Sequence, residues 1–249
     1  MDVTIDYEKQ SDERSLEEYR REKKYKKAMF SEMQKYKYDV KKRRAELRAT
    51  EFETEMKNRG LNAHVSVGGL DSITLYLFLR SIGINVPAIS VSSVEDTSIQ
   101  KVHKALNIIP IKPYKSKVEV LNEVGFPVIS KRIAGKIDLL QNPTPQNKTV
   151  RHAIITGECG KQGHFAKDSR MKLPQKWLKL FGGYENDNEN VVYQKPNFMV
   201  SNKCCYYMKE KPCDDWAKRH NSYPYLGLMA SEGGQREEAL VEHGCNYYG

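Results

Sequence analysis

The spacing of apolar positions changes near residue 60. Residues 12–59 contain no Pro or Gly, and Ser15 with Glu18 has capping-box spacing, which predicts one long helix or two consecutive ones. Met29, Met33, Tyr36, Val40 and Leu47 recur mostly at three- and four-residue steps, an apolar stripe suited to the main domain or to a second copy of the chain. Beyond Gly60 the apolar residues gather into short dense runs: 63–67, 86–92, 108–111 and 223–229 read as strands. Between and after them, helices are predicted over 73–82, 98–106, 117–124, 132–140 and up to Glu242. Strands alternating with helices at this spacing imply parallel βαβ units with right-handed crossovers. The expected fold is α/β, a parallel sheet flanked by helices, with an N-terminal helical extension over 1–60 and an α/β domain over 61–249. From 141 to 203 the pattern breaks into Pro, Asn, Gly and basic residues, an irregular insertion with one amphipathic piece at 173–181. Trp177, Leu178, Leu180 and Phe181 on that piece are expected to be core anchors.

Charge adds a partner class. With 41 Lys and Arg against 32 Asp and Glu, the net charge is +9, which favours a polyanionic partner or an anionic substrate. Residues 19–48 hold thirteen Lys and Arg against four acids, a surplus that equals the charge of the whole chain. Together with Tyr19, Tyr25, Tyr36 and Tyr38 they offer cations and stacking faces to a nucleic acid; a solvated helix face explains the charges nearly as well. No stretch approaches the roughly 18 apolar residues needed to cross a bilayer, and the first residues lack a signal peptide's pattern. A cytoplasmic protein without a membrane partner is expected, and the helical extension makes homo-oligomers an option. Five cysteines, an odd number, argue against a disulfide framework and leave free thiols, metal ligands or redox groups.

The candidate chemistry centres on His64-Val65-Ser66-Val67-Gly68-Gly69-Leu70-Asp71-Ser72, where a strand meets two glycines and then a helix. Paired glycines let backbone approach a ligand closely, and a helix start offers free N–H groups and a positive dipole end, a combination suited to phosphate. Asp71 can orient N–H groups or hold a magnesium ion, and Ser72 can donate to a phosphate oxygen. Lys131 and Arg132 stand at a predicted helix start, where a cation opposes the dipole, so an anionic ligand or an acidic neighbour is expected beside them. Gly233-Gly234 permits close approach, and Arg236 offers a two-pronged fork for phosphate or sulfate. Cys204, Cys205, Cys213 and Cys245 are candidate ligands of a [4Fe–4S] cluster, with partly buried free thiols as the alternative. Lys209 and Lys211 beside them should lower thiol pKa values and favour thiolate. Cys159 and His164 alone are too few for a metal site.

Gly68-Gly69-Leu70-Asp71-Ser72 resembles the S-G-G-K-D-S pyrophosphate loop of the adenine-nucleotide alpha-hydrolase-like group. Phe126 to Lys131, Cys204-Cys205 with Lys209, and Gly227 to Glu232 with Arg236 resemble, in order, later landmarks of the phosphoadenosine phosphosulfate (PAPS) reductase family. The resemblance covers residues 61–249. It implies a nucleotide held by Ser66, Gly68, Gly69, Ser92, Lys131, Glu232 and Arg236, with Asp71 and Ser72 as catalytic candidates. It also implies ATP or an adenylyl sulfate as ligand, reaction at the α-phosphate, and magnesium and a [4Fe–4S] cluster as candidate cofactors. The chain departs from the family at Val67, which replaces Ser, and Leu70, which replaces Lys. Ser92 and Ser93 stand where the family has Asp and Thr, Met229 where it has Arg, and Gly233 where it has Ser. A closing Cys-x-x-Cys is missing, and the end of the sequence, His243 to Gly249, lacks an E-C-G-x-H context, so reduction of a sulfonucleotide is not expected. Two alternatives stay open: an ATP pyrophosphatase that activates a nucleic acid for sulfur transfer, and a non-catalytic module binding nucleotide or nucleic acid.

Overall fold

The computed structural model describes residues 16–158, 171–181, 185–186, 191–192, 198–229 and 234–246. The helical start is two helices, α1 (Leu16–Gln34) and α2 (Tyr38–Asn58). There follow β1 (Asn62–Ser66), α3 (Leu70–Ser81), β2 (Ala88–Ser90), α4 (Thr97–Ala105), β3 (Ile109–Pro110), α5 (Lys117–Val124) and α6 (Lys131–Gln141). Next come α7 (Lys148–Thr156), α8 (Gln175–Phe181), a two-stranded ribbon of β4 (Glu185–Asn186) and β5 (Val191–Val192), α9 (Lys211–Arg219), β6 (Ser222–Tyr225) and α10 (Gly234–His243).

β1, β2, β3 and β6 form one parallel sheet in the order β3-β2-β1-β6, so the expected α/β architecture with flanking helices is the one found. β1 pairs with β2 through Val65↔Ala88 and with β6 from Asn62↔Ser222 to Val65↔Tyr225. Its residues alternate between two faces. Ala63 and Val65 join a core built from Ala49, Phe52 and Met56 of α2, Ile73 and Leu79 of α3, and Tyr225. The Phe52 and Tyr225 rings meet edge to face at 4.7 Å, and the Tyr225 hydroxyl donates to the Ala49 carbonyl at 3.0 Å. The second half of α2 is therefore part of the sheet's core.

The predicted apolar stripe on the first two helices is largely outside that core. Met29, Tyr36, Val40 and Leu47 are exposed, and only Met33 is half-buried. The face that packs is set by Ala49, Phe52 and Met56, at steps of three and four residues, where α2 reaches the sheet.

A second core explains how much of the pattern-broken region folds. Ala134, Ile137 and Leu140 of α6 pack with Ile154 of α7, Leu173, Leu178 of α8 and Val200. Of the four anchors expected on α8, Leu178 is fully buried, Trp177 and Phe181 are half-buried, and Leu180 is exposed. A π-helical turn, Tyr206–Glu210, follows Cys204-Cys205 and runs into α9, so the paired cysteines open a helix rather than a loop.

Candidate functional site

In the sheet order β3-β2-β1-β6, the chain leaves β1 toward β2 and β3 on one side, and β6 lies on the other. The carboxyl end of β1 is thus a switch point, where open parallel sheets leave a crevice for ligands. Gly68 and Gly69 sit there, directly before α3.

The turn is held by two side chains, Ser72 and His103. Ser72 Oγ accepts from the Gly68 N–H at 2.8 Å and donates to the Gly69 carbonyl at 2.9 Å, so its hydroxyl is engaged inside the turn. His103, buried on α4, places Nε2 3.0 Å from the Gly68 carbonyl and Nδ1 2.9 Å from Ser92 Oγ. A carbonyl only accepts, so Nε2 carries the proton; in the neutral ring Nδ1 then accepts, and the Ser92 hydroxyl donates inward. Gly69 is the N-cap of α3 and brings no capping side chain. The first-turn amides of α3 have no intrahelical acceptor and face the crevice end of the sheet with the dipole's positive end. Asp71 is half-buried in that first turn.

The crevice wall is drawn close on both sides. A Cβ on Gly227, just beyond β6, would lie 2.9 Å from both the Cα and N of Ser72, so only glycine lets this segment pass the start of α3. Opposite, Glu95 Oε1 would stand 3.5 Å from a Cβ on Gly68, and the same oxygen pairs with Lys209 Nζ at 2.7 Å. Glu95 thereby brings a cation from the π-helical turn to the glycine turn.

Ser66 is half-buried at the end of β1, with Oγ 3.3 Å from His64 Nε2. His64 is enclosed by Ser222 Oγ at 2.8 Å from Nδ1 and by the edge of Trp216, which stacks on His220. Burial first, and then the neighbouring His220, lower the His64 pKa to about 4.

Lys131 is exposed at the start of α6, near enough for its charge to act on the Cys204 thiol. An acidic neighbour does meet the second cation of that pair: Arg132 Nη2 lies 3.9 Å from Glu238 Oε1 on α10. Arg236 is exposed on the same helix. Glu232 and Gly233 lie outside the described residues, as do Cys159 and His164.

Cys204 and Cys205 are in contact through their thiols; Cys213 stands further on, in α9, and Cys245 is exposed beyond α10 against α1 and α2. Two of the four cluster candidates are brought together, and among the described residues no three His, Cys, Asp or Glu side chains gather as a metal site. The expected thiolate character is not found. Burial, and then the adjoining Cys205, raise the Cys204 pKa, and burial with Asp214 pushes Cys213 up to about 11. The lysines that were to lower them are paired elsewhere, Lys209 with Glu95 and Lys211 with Asp215 at 3.3 Å, and Lys203, next to Cys204 in sequence, pairs with Asp138 at 2.8 Å.

Comparison with models of protein families, with curated proteins and with solved structures found no match. His103 and Glu95 are the site residues that reading the sequence missed, while Gly227 stood at the start of a stretch singled out by the resemblance, without its role as a close-packed wall. A histidine at the buried position of an amphipathic helix, four residues after Ile99, was the signal for the first.

Proposed function

We propose that this chain binds the phosphates of an adenine nucleotide at the Gly68-Gly69 turn, as its resemblance to PAPS reductase-like proteins of the adenine-nucleotide alpha-hydrolase-like group implies. The observation that carries the reading is the uncapped start of α3 at the switch point, with Gly227 and Glu95 closing the crevice on either side. An anion there meets first-turn amides and the helix dipole without a Cβ in the way. Lys209, held beside the turn by Glu95, supplies the cation that Leu70 does not. Asp71 would hold magnesium against the phosphates, which neutralises developing charge.

The reaction this arrangement suits is attack on the α-phosphate of ATP with departure of pyrophosphate, or the corresponding step on an adenylyl sulfate. Lys209 and the α3 amides would stabilise the departing phosphates. Ser72 acts as the staple of the turn, because its hydroxyl is already engaged. ATP with magnesium should raise the Tm, and Gly68→Val should abolish the rise by placing branched carbon where phosphate approaches. An undiminished rise in that variant would remove the turn from the binding site.

A second reading adds a nucleic acid as acceptor, with activation for sulfur transfer as its chemistry. It is favoured by the exposure of Tyr25 and Tyr38 among the lysines of α1 and α2.

A further inference from the structure

α1, α2, α3, β6 and α10 line an open-mouthed cavity of about 480 Å³ on the face of the sheet that carries Tyr225. Its walls are side chains such as Phe30, Phe52, Leu75, Phe78 and Leu240, and among the described residues its charged lining is Lys41, Arg44 and Arg48, without Asp or Glu. The volume is in the range of roughly 300–1,000 Å³ that holds small molecules, and an apolar body with a few polar groups at one end is the usual composition of such sites.

The three cations are not equivalent. Arg48 Nη1 is paired with Glu51 at 2.6 Å, and Lys41 Nζ donates to the Gln34 carbonyl at 3.1 Å. Arg44 instead leans over the Tyr36 ring, 5.6 Å from its centroid, and points Nη2 at the Met33 sulfur at 3.1 Å. A thioether is a weak acceptor, and a guanidinium has five N–H groups to place, so Arg44 keeps donors for an oxyanion.

We infer that this cavity binds a single-chain amphipathic anion: an alkyl tail among the aromatic and leucine side chains, and a carboxylate or phosphate head against Arg44 with Lys41 beside it. The three cations among the described lining residues select against a cationic head of the same tail length. Apolar burial supplies affinity in proportion to chain length, and the guanidinium fork supplies the sign. This site is separate from the glycine turn and does not depend on a nucleotide being bound there.

The test is isothermal titration of the full chain with dodecanoate and dodecyl phosphate below their micellar concentrations, against dodecyltrimethylammonium and butyrate, with no nucleotide present. The two long anions should bind, the cation at least tenfold more weakly, and butyrate without measurable heat. Arg44→Gln should weaken dodecanoate at least tenfold. Ala45→Trp, an exposed lining position where a large side chain fills the cavity without entering the core, should abolish binding. Equal binding of the anion and the cation by the unaltered protein would overturn the inference, as would undiminished dodecanoate binding in Ala45→Trp. A preference for the phosphate over the carboxylate head would identify a lipid phosphate as the source, and the reverse a free fatty acid.

Discussion

His64 shows what enclosing one titratable ring does to a whole protein. Its imidazole is buried between two serine hydroxyls and an indole edge, and its pKa falls to about 4 from an ordinary value of 6.5. The neutral ring is therefore the one that fits. A base with a depressed folded pKa contributes its full stability above the unfolded pKa, and that contribution is lost as pH falls from about 6.5 through about 4. The loss should reach on the order of 3 kcal/mol. Urea unfolding at pH 7 and pH 4.5 should show it, and His64→Gln, which cannot gain this proton, should have a flatter pH dependence. Identical slopes in the two proteins would mean that other groups set the acid limit. At this scale the sequence shows only part of the site. Gly68, Gly69 and Asp71 are adjacent in the chain, so their turn is legible as a local pattern. His103 reaches the turn from 35 residues away, Gly227 meets Ser72 from 155 away and Lys209 comes in through Glu95, and local spacing has no means of bringing them there. The thiols mislead for a related reason, since a lysine next in sequence to a cysteine acts on it only if no carboxylate claims the lysine first.

Among the elements, α2 departs furthest from what its composition suggests. Its charges mark a solvated extension, yet Ala49, Phe52 and Met56 enter the same core as β1. Phe52 is 8 % exposed and packs edge-on against Tyr225, so Phe52→Ala should cost about 3–5 kcal/mol in chemical denaturation. A cost under about 1 kcal/mol would show that α2 is a detachable arm. The strands and the helices α3 to α6 are legible because their apolar runs are dense and bounded by glycine or capping serines, such as Ser116 and Ser130. The helix that opens at Cys204 is harder to see. Its period is stretched by the π-helical turn, and Pro212, a residue that ordinarily signals a break, follows that turn directly at the second position of α9. α7 escaped because Asn, Lys and Thr surround the few apolar residues that anchor it to α6.

For the molecule as a whole, charge and fold divide the proposed labour between two regions. In the proposed reading the sheet's switch point would take a nucleotide, and the basic face of α1 and α2 would take a polyanion. If the second reading holds, binding to single-stranded DNA or RNA should weaken steeply as salt rises, because each neutralised phosphate releases counterions. Replacing Lys23, Lys24 and Lys27 with Gln should reduce the slope of log affinity against log salt by up to about three, roughly one for each phosphate left without its lysine. An unchanged slope would return these lysines to the role of a solvated face. A deletion made to test this should stop before α2 reaches the core, since removing residues 1–60 would also take Phe52 and Met56 out of the sheet's packing.

The pairing of β1 with β6 also sets an order of events in time. Asn62 to Val65 find their partners at Ser222 to Tyr225, 160 residues later, and a parallel pairing of that separation must close a very long loop before it forms a single hydrogen bond. On the ribosome, β1 therefore emerges long before β6 and waits with one edge open while the intervening helices appear. The second core, built wholly from α6, α7, α8 and neighbouring residues up to Val200, has all its parts during that wait. The glycine turn acquires the Gly227 wall only when the sheet closes, so in the proposed reading a nascent chain would not grip an anion between those walls until synthesis has passed β6.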